Sequence, residues 1–229
     1  MALNPNGGCT TPNEIWRNEA ERQQIDREIE RIIIGDFRRS KAAVGAIDIF
    51  TDPGLGGPDA LTGWLAGHSF GRGIDVARMR RGFGAGEYSV PDIITSRGAA
   101  AQSEFYEIKP DSLEGRRQGA EKIAKFLKLN NDFQLLFFPG TEYDPIRSFP
   151  FPSIVMIGPA EYEIELRWFR SAPSLILYEI CYKKRRKQEQ EEHMSIPEWL
   201  FVILLGLILL IILKGKMPEI GPVGPPIVA

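Results

Sequence analysis

Residues 103–109 read SEFYEIK, and residues 91–95 upstream read PDIIT. The first stretch alternates, which predicts a strand with Phe105, Glu107 and Lys109 on one face and Tyr106 and Ile108 on the other. The second opens on Pro91-Asp92 and continues into an apolar, strand-like run. Asp92 stands fifteen residues before Glu107. If the two strands are neighbours, two carboxylates and one ammonium meet at one place. Paired carboxylates repel each other unless a cation bridges them. A hard, oxygen-seeking Mg²⁺, or Mn²⁺, suits that demand, with the Ile108 carbonyl as a further ligand. Lys109 is then placed to orient water or to stabilise charge growing on a phosphate. The competing structural account is an exposed Glu–Lys pair on an edge strand, with Pro91-Asp92 starting a turn.

The surroundings predict an α/β (α+β) domain, a mixed central sheet flanked by helices. Residues 14–34 carry an apolar stripe at Ile15, Ile25, Ile29, Ile32 and Ile33, which predicts a helix capped at Asn13 and stopped by Gly35. Residues 42–50 read as a strand. Residues 51–86 are Gly-rich and loop-like, with short helices near 60–65 and 74–79. Residues 116–129 show a helical stripe at Ala120, Ile123, Ala124 and Leu127. Strands are expected at 133–138, 153–157, 162–169 and 175–182.

The run Pro91-Asp92, then Tyr106-Glu107-Ile108-Lys109-Pro110, Gly115 and Gln118, resembles the PD-(D/E)XK restriction-endonuclease-like superfamily. It is most similar to the restriction-endonuclease-fold domains of bacterial polymorphic toxins. The resemblance is specific over residues 90–138 and loose over 14–182. It implies a restriction-endonuclease-like fold in which Asp92 and Glu107 bind metal, Lys109 is catalytic and Gln118 supports the site. Such folds often carry a Glu on the first helix, for which Glu28 and Glu30 are both candidates. The helix after Gln118 departs from the pattern in bearing Phe126 where a Tyr is expected.

Charge is unevenly spread along the chain. The 229 residues hold 28 Lys plus Arg and 30 Asp plus Glu, a formal net charge of −2. Residues 72–128 nevertheless carry 11 basic and 8 acidic groups, while both flanking segments are net acidic. The positive segment holds the motif. Its Arg78, Arg80, Arg81, Arg97, Arg116 and Arg117 are candidate phosphate contacts, because guanidinium is planar and always charged. A solvated polar face is the plainer alternative. No recognition helix, zinc finger or RNP motif points to sequence-specific readout.

Hydrophobic content of 43% and charged content of 25% exclude wholesale disorder, a collagen-like fibre and a multi-span membrane protein. Cys9 and Cys181 lie far apart in the chain, so no disulfide framework and no CxxC metal site is expected. Residues 199–213 read WLFVILLGLILLIIL, without a polar side chain. As a helix this run covers roughly 22 Å, and flanking residues extend it towards the ~30 Å hydrocarbon core. Five consecutive basic residues, 183–187, precede it and favour the cytoplasmic side. The expected organisation is a disordered N-terminus (1–13), a nuclease-like domain (14–182), a charged juxtamembrane linker (183–195), a single transmembrane helix (196–214) and a Pro/Gly-rich tail (215–229). No signal peptide is read at the N-terminus. The function expected is a membrane-anchored, metal-dependent nuclease acting on DNA or RNA. The resemblance gives it the role of toxin, effector or defence nuclease, with an immunity protein as partner. The alternative is a non-catalytic, membrane-tethered scaffold on a decayed nuclease fold.

Overall fold

A computed structural model describes residues 7–16, 18–46, 48–51, 57–67, 73–97, 103–157 and 160–185. The fold is mixed α/β, a curled mixed sheet flanked by helices. The helices are α1 (Pro12–Ile15), α2 (Glu19–Arg39), α3 (Gly57–Gly67), α4 (Val76–Gly84) and α5 (Leu113–Phe133). The strands are β1 (Gly8–Thr10), β2 (Asp48–Thr51), β3 (Ile93–Ser96), β4 (Ser103–Pro110), β5 (Phe137–Pro139), β6 (Ile146–Ile157), β7 (Ala160–Ala172) and β8 (Leu175–Lys184). Their order is β2-β3-β4-β8-β7-β6, with β5 paired to β4 and β1 paired to β8. The β4–β8 and β4–β5 pairs are parallel and the other pairs antiparallel.

The two faces of β4 carry two cores, as strand alternation requires. Tyr106 and Ile108 pack with Ile29, Ile33 and Phe37 of α2. Phe105 packs with Phe126 and Leu129 of α5, together with Leu61, Leu65 and Met79 from α3 and α4. The Phe105 and Phe126 rings lie 4.6 Å apart.

Several expected elements shift, each for a local reason. The first long helix begins after Asn18, not Asn13. Asn18 Oδ1 accepts from the N–H groups of Ala20 (2.9 Å) and Glu21 (3.4 Å), an N-cap that satisfies free amides of the first turn. Glu19 and Glu21 in that turn, with Arg38 and Arg39 in the last, suit the helix dipole. That support carries the helix through Gly35 to Arg39. The strand expected at 42–50 is a 3₁₀ turn (Lys41–Ala43) followed by β2, because Gly45 at φ +80 breaks the extended run. The strand expected at 133–138 begins only at Phe137. Phe133 closes α5, and Gln134 (φ 53) and Leu136 (φ 61) are left-handed before β5 starts. The stretch assigned to a disordered N-terminus includes β1 and the start of α1.

The cysteines overturn a further expectation. β1 pairs antiparallel with β8 so that Cys9 faces Cys181, and the two form a disulfide across 172 residues. Separation along the chain set no limit, because sheet pairing brought β1 onto β8. All the described elements belong to one unit, Met1–Arg185, with β8 running past the expected boundary at 182 to Lys184. No helix among the described residues is long and apolar enough to cross a membrane. The expected span (196–214), the tail (215–229) and residues 186–195 of the linker lie outside the described residues.

Candidate functional site

Asp92 stands just before β3, where the β3–β4 ladder ends at the pair Ile93 and Tyr106. Beyond that pair the side chain continues the contact: the Ile108 N–H donates to Asp92 Oδ2 at 2.6 Å. On the other side of β4, the Glu107 N–H donates to Ser174 O at 2.7 Å. Ser174 is fully buried and left-handed (φ 63), and its Oγ donates to Phe105 O at 2.7 Å. It also accepts from the Gly140 N–H at 2.8 Å. Ser174 thus joins β5 to β8 along one edge of β4 and fixes the height of Glu107.

Helix α5 closes the site from one face. Ser112 Oγ accepts from the Gly115 N–H at 2.9 Å and caps its start. A Cβ at Gly119 would stand 2.5 Å from Leu175 Cδ1 and 3.4 Å from Lys109 Cγ. Glycine there lets α5 lie on the Lys109 stem, and one turn later Lys122 reaches over β4.

The Lys109 ammonium sits among the three donors expected of a metal site. Nζ donates to Ile108 O at 2.8 Å, forms an ion pair with Glu107 Oε1, and lies 3.8 Å from Asp92 Oδ2. Lys122 Nζ lies 2.8 Å from the same Glu107 Oε1 and 4.0 Å from Asp92 Oδ1. Each ammonium therefore reaches both carboxylates. Glu107 is 1% exposed, and its Oε2 is buried without a hydrogen-bond partner. An unmet carboxylate oxygen in the interior is costly, and another cation would satisfy it.

The opposite face brings more acid. Of the two first-helix candidates, Glu28 pairs with Arg31 at 2.5 Å, and that Arg holds its carboxyl below the ordinary range. Glu30 is the one turned to the site. Burial, then the nearby Asp92, pushes its carboxyl up to about 8, with Glu107 adding to the rise and Lys109 opposing it. Asp26, one turn earlier, accepts from Tyr178 Oη at 2.9 Å and is raised by burial. Glu107 is pushed up to about 7 by burial and Asp92, against the pull of Lys109 and Lys122. Lys109 moves the other way: burial would lower it, but Asp92, Glu107 and Glu30 together raise it. Burial leads the rise of Glu30, Glu107 and Asp26, and for Glu30 and Glu107 the neighbouring carboxylates add to it, while the same carboxylates hold the proton on Lys109.

The structure brings together Asp92, Glu107, Ile108 and Lys109, and adds Glu30, Asp26 and Lys122. Gln118 is exposed and donates to Glu114 at 2.7 Å, apart from the cluster. Among the arginines, Arg97 is held inside the fold: its guanidinium clamps Glu142 and donates to Ala42 O at 2.5 Å. Arg80 pairs with Asp59, Arg116 with Asp111, and Arg117 with Glu114. Arg78 covers the Phe133 ring at 5.2 Å, and Arg81 lies in the last turn of α4. The missed Lys122 had one signal, its place on the stripe Gly115, Gly119, Phe126 that faces the sheet.

Two other features lie elsewhere. Cys9, Glu179 and Cys181 cluster closely enough to hold a metal, but the disulfide removes the thiolates such a site needs. A cavity of about 880 Å³ borders β1, β6, β7 and β8, with Phe151, Glu165, Arg167 and Cys181 in its wall and none of the clustered acids. Comparison of the chain with family models, curated proteins and solved structures finds no match.

Proposed function

We propose that the protein is a divalent-metal-dependent nuclease that hydrolyses phosphodiester bonds of DNA or RNA. One observation carries the reading: a lysine ammonium ringed by Ile108 O, Glu107 and Asp92, with Glu107 Oε2 still unmet. These oxygen donors fit Mg²⁺ or Mn²⁺, with Glu30 at the border. When bound, such an ion supplies Lewis-acid polarisation of a phosphoryl oxygen. The rest falls to the chain itself. Asp92 keeps Ile108 and its carbonyl in place through the Ile108 N–H. Ser174 holds Glu107 level with them. Lys109, kept protonated by its acidic neighbours, acts as a cation and hydrogen-bond donor towards a phosphodiester, and not as a base.

The order α2, β2, β3, β4, α5, with α3 and α4 between β2 and β3, is compatible with a restriction-endonuclease-like core, the finer fold implied by the motif. Arg116 and Arg117 at the start of α5, and Arg78, Arg80 and Arg81 on α4, are proposed phosphate contacts. The exposed ion pairs of Arg80, Arg116 and Arg117 are weak enough for a phosphate to displace. Residues 196–214 are proposed as a membrane tether contacting lipid, with toxin or defence as the biological role and an immunity protein as partner. On compartment, the basic run favours the cytoplasmic face, whereas the Cys9–Cys181 bridge favours an oxidising environment for this domain.

The test is cleavage of plasmid DNA and of a transcribed RNA by the full chain in mild detergent, with Mg²⁺, with EDTA, and with Lys109→Ala. Cleavage is expected only with the metal and the lysine, falling at least about 100-fold without either. Absence of cleavage, or cleavage indifferent to the substitution, removes the nuclease reading and leaves the non-catalytic scaffold.

A further inference from the structure

Two lysines contact Glu107 Oε1, and they are built differently. The Lys109 side chain is 14% exposed and tied back to its neighbouring carbonyl. The Lys122 side chain is 39% exposed and arrives from α5 along the solvent side. Its backbone is anchored, since Lys122 O accepts from Ser89 Oγ at 2.6 Å, in the segment leading to Asp92. Its ammonium is therefore the mobile part of a fixed mount. One buried carboxylate cannot keep two ammonium groups on Oε1 and a divalent ion on Oε2 at close range, because like charges in a buried site repel strongly. The most exposed cation is the one to leave.

We infer that Lys122 is a displaceable counter-ion that holds Glu107 in the metal-free protein and, once a divalent cation takes that carboxylate, swings outward to bind the phosphodiester of the substrate. The inference rests on the nuclease reading and adds a catalytic residue to it. Lysine suits such an exchange, because a compact point charge on a four-carbon stem can trade one anion for another without a fixed approach angle. The exchange also couples two events. A phosphate meets this ammonium only after the metal has arrived, so substrate is gripped where the site is complete.

Competition and catalysis make opposite demands on this one side chain, which sets the experiment. Mn²⁺ binding to the full chain is measured by titration calorimetry, without nucleic acid, for wild type, Lys122→Ala, Lys122→Met and Lys122→Arg. Cleavage of plasmid DNA and of a transcribed RNA is then measured at saturating Mn²⁺. Removing the competing charge is expected to tighten Mn²⁺ binding by about three- to tenfold. The same variants are expected to cleave on the order of 100-fold more slowly, with Lys122→Arg recovering part of the rate. Near-ultraviolet circular dichroism checks folding, and Lys122→Met keeps the stem if the alanine variant does not fold. Unchanged or weaker Mn²⁺ binding in an active protein, or cleavage within about threefold of wild type, overturns the role of Lys122 while leaving the nuclease reading standing. A wild-type protein that neither binds Mn²⁺ nor cleaves overturns both.

Discussion

Replacing Glu107 by Gln should change how stability depends on pH, in a direction that tests the charge balance of the site. Its carboxyl is pushed from an ordinary 4.5 up to about 7 in the fold. A raised acid favours the folded state while protonated. That advantage is complete below about 4.5 and is lost as pH rises through about 7. At 1.36 kcal/mol per pKa unit, the loss is about 3 kcal/mol across that window. Gln cannot ionise, so its stability should not fall for this reason. In EDTA, the variant should therefore gain about 3 kcal/mol on wild type between roughly pH 4.5 and pH 8. Glu30, raised to about 8, titrates in an overlapping window, and its coupling to Glu107 spreads the change over a wider range of pH. Urea unfolding in detergent, followed by near-ultraviolet circular dichroism, measures it. Adding Mg²⁺ near pH 8 should shrink the gap, because a cation stabilises only the ionised wild-type carboxylate. Parallel pH curves for the two proteins would refute the reasoning. A gap of opposite sign would mean that Lys109 and Lys122 outweigh burial and Asp92.

Glu30→Gln should weaken Mn²⁺ binding about tenfold, while Glu28→Gln on the outer side of α2 should leave it within about twofold, both read by calorimetry. Reduction of Cys9–Cys181, or Cys181→Ser, opens a 172-residue loop and should cost up to about 5 kcal/mol of stability on the chain-entropy account. Thermal unfolding with and without reductant measures that loss, and unchanged melting would show that the sheet alone holds β1 in place.

What the sequence discloses here depends on how local the determinant is. The face of β4 was legible because side chains alternate with period two, so Glu107 and Lys109 had to project together. Their meeting with Asp92 required only that adjacent strands pair, the commonest outcome for consecutive strands. Choosing Glu30 over Glu28 required the rotation of α2 against the sheet, which the packing of Ile29, Ile33 and Phe37 sets. Lys122 required the register of α5 on β4, which depends on a glycine contact with Leu175 from a strand over fifty residues away. Arg97 looked like any other arginine of a basic segment until Glu142 and Ala42 closed around it. The disulfide was hidden for a similar reason: nothing near Cys9 announces that β1 will lie on β8.

That bridge has a mechanical consequence. It closes a covalent ring from Cys9 to Cys181 that encloses every helix among the described residues and every clustered acid. A pull on the chain at Arg185 would peel β8 from its end and meet the cross-link at Cys181, before reaching residues 175–178, which pair with β4 beside Glu107. The load would pass to β1 instead of to the site. A single proteolytic cut within the ring would leave both pieces joined, ready to close again over the same carboxylates.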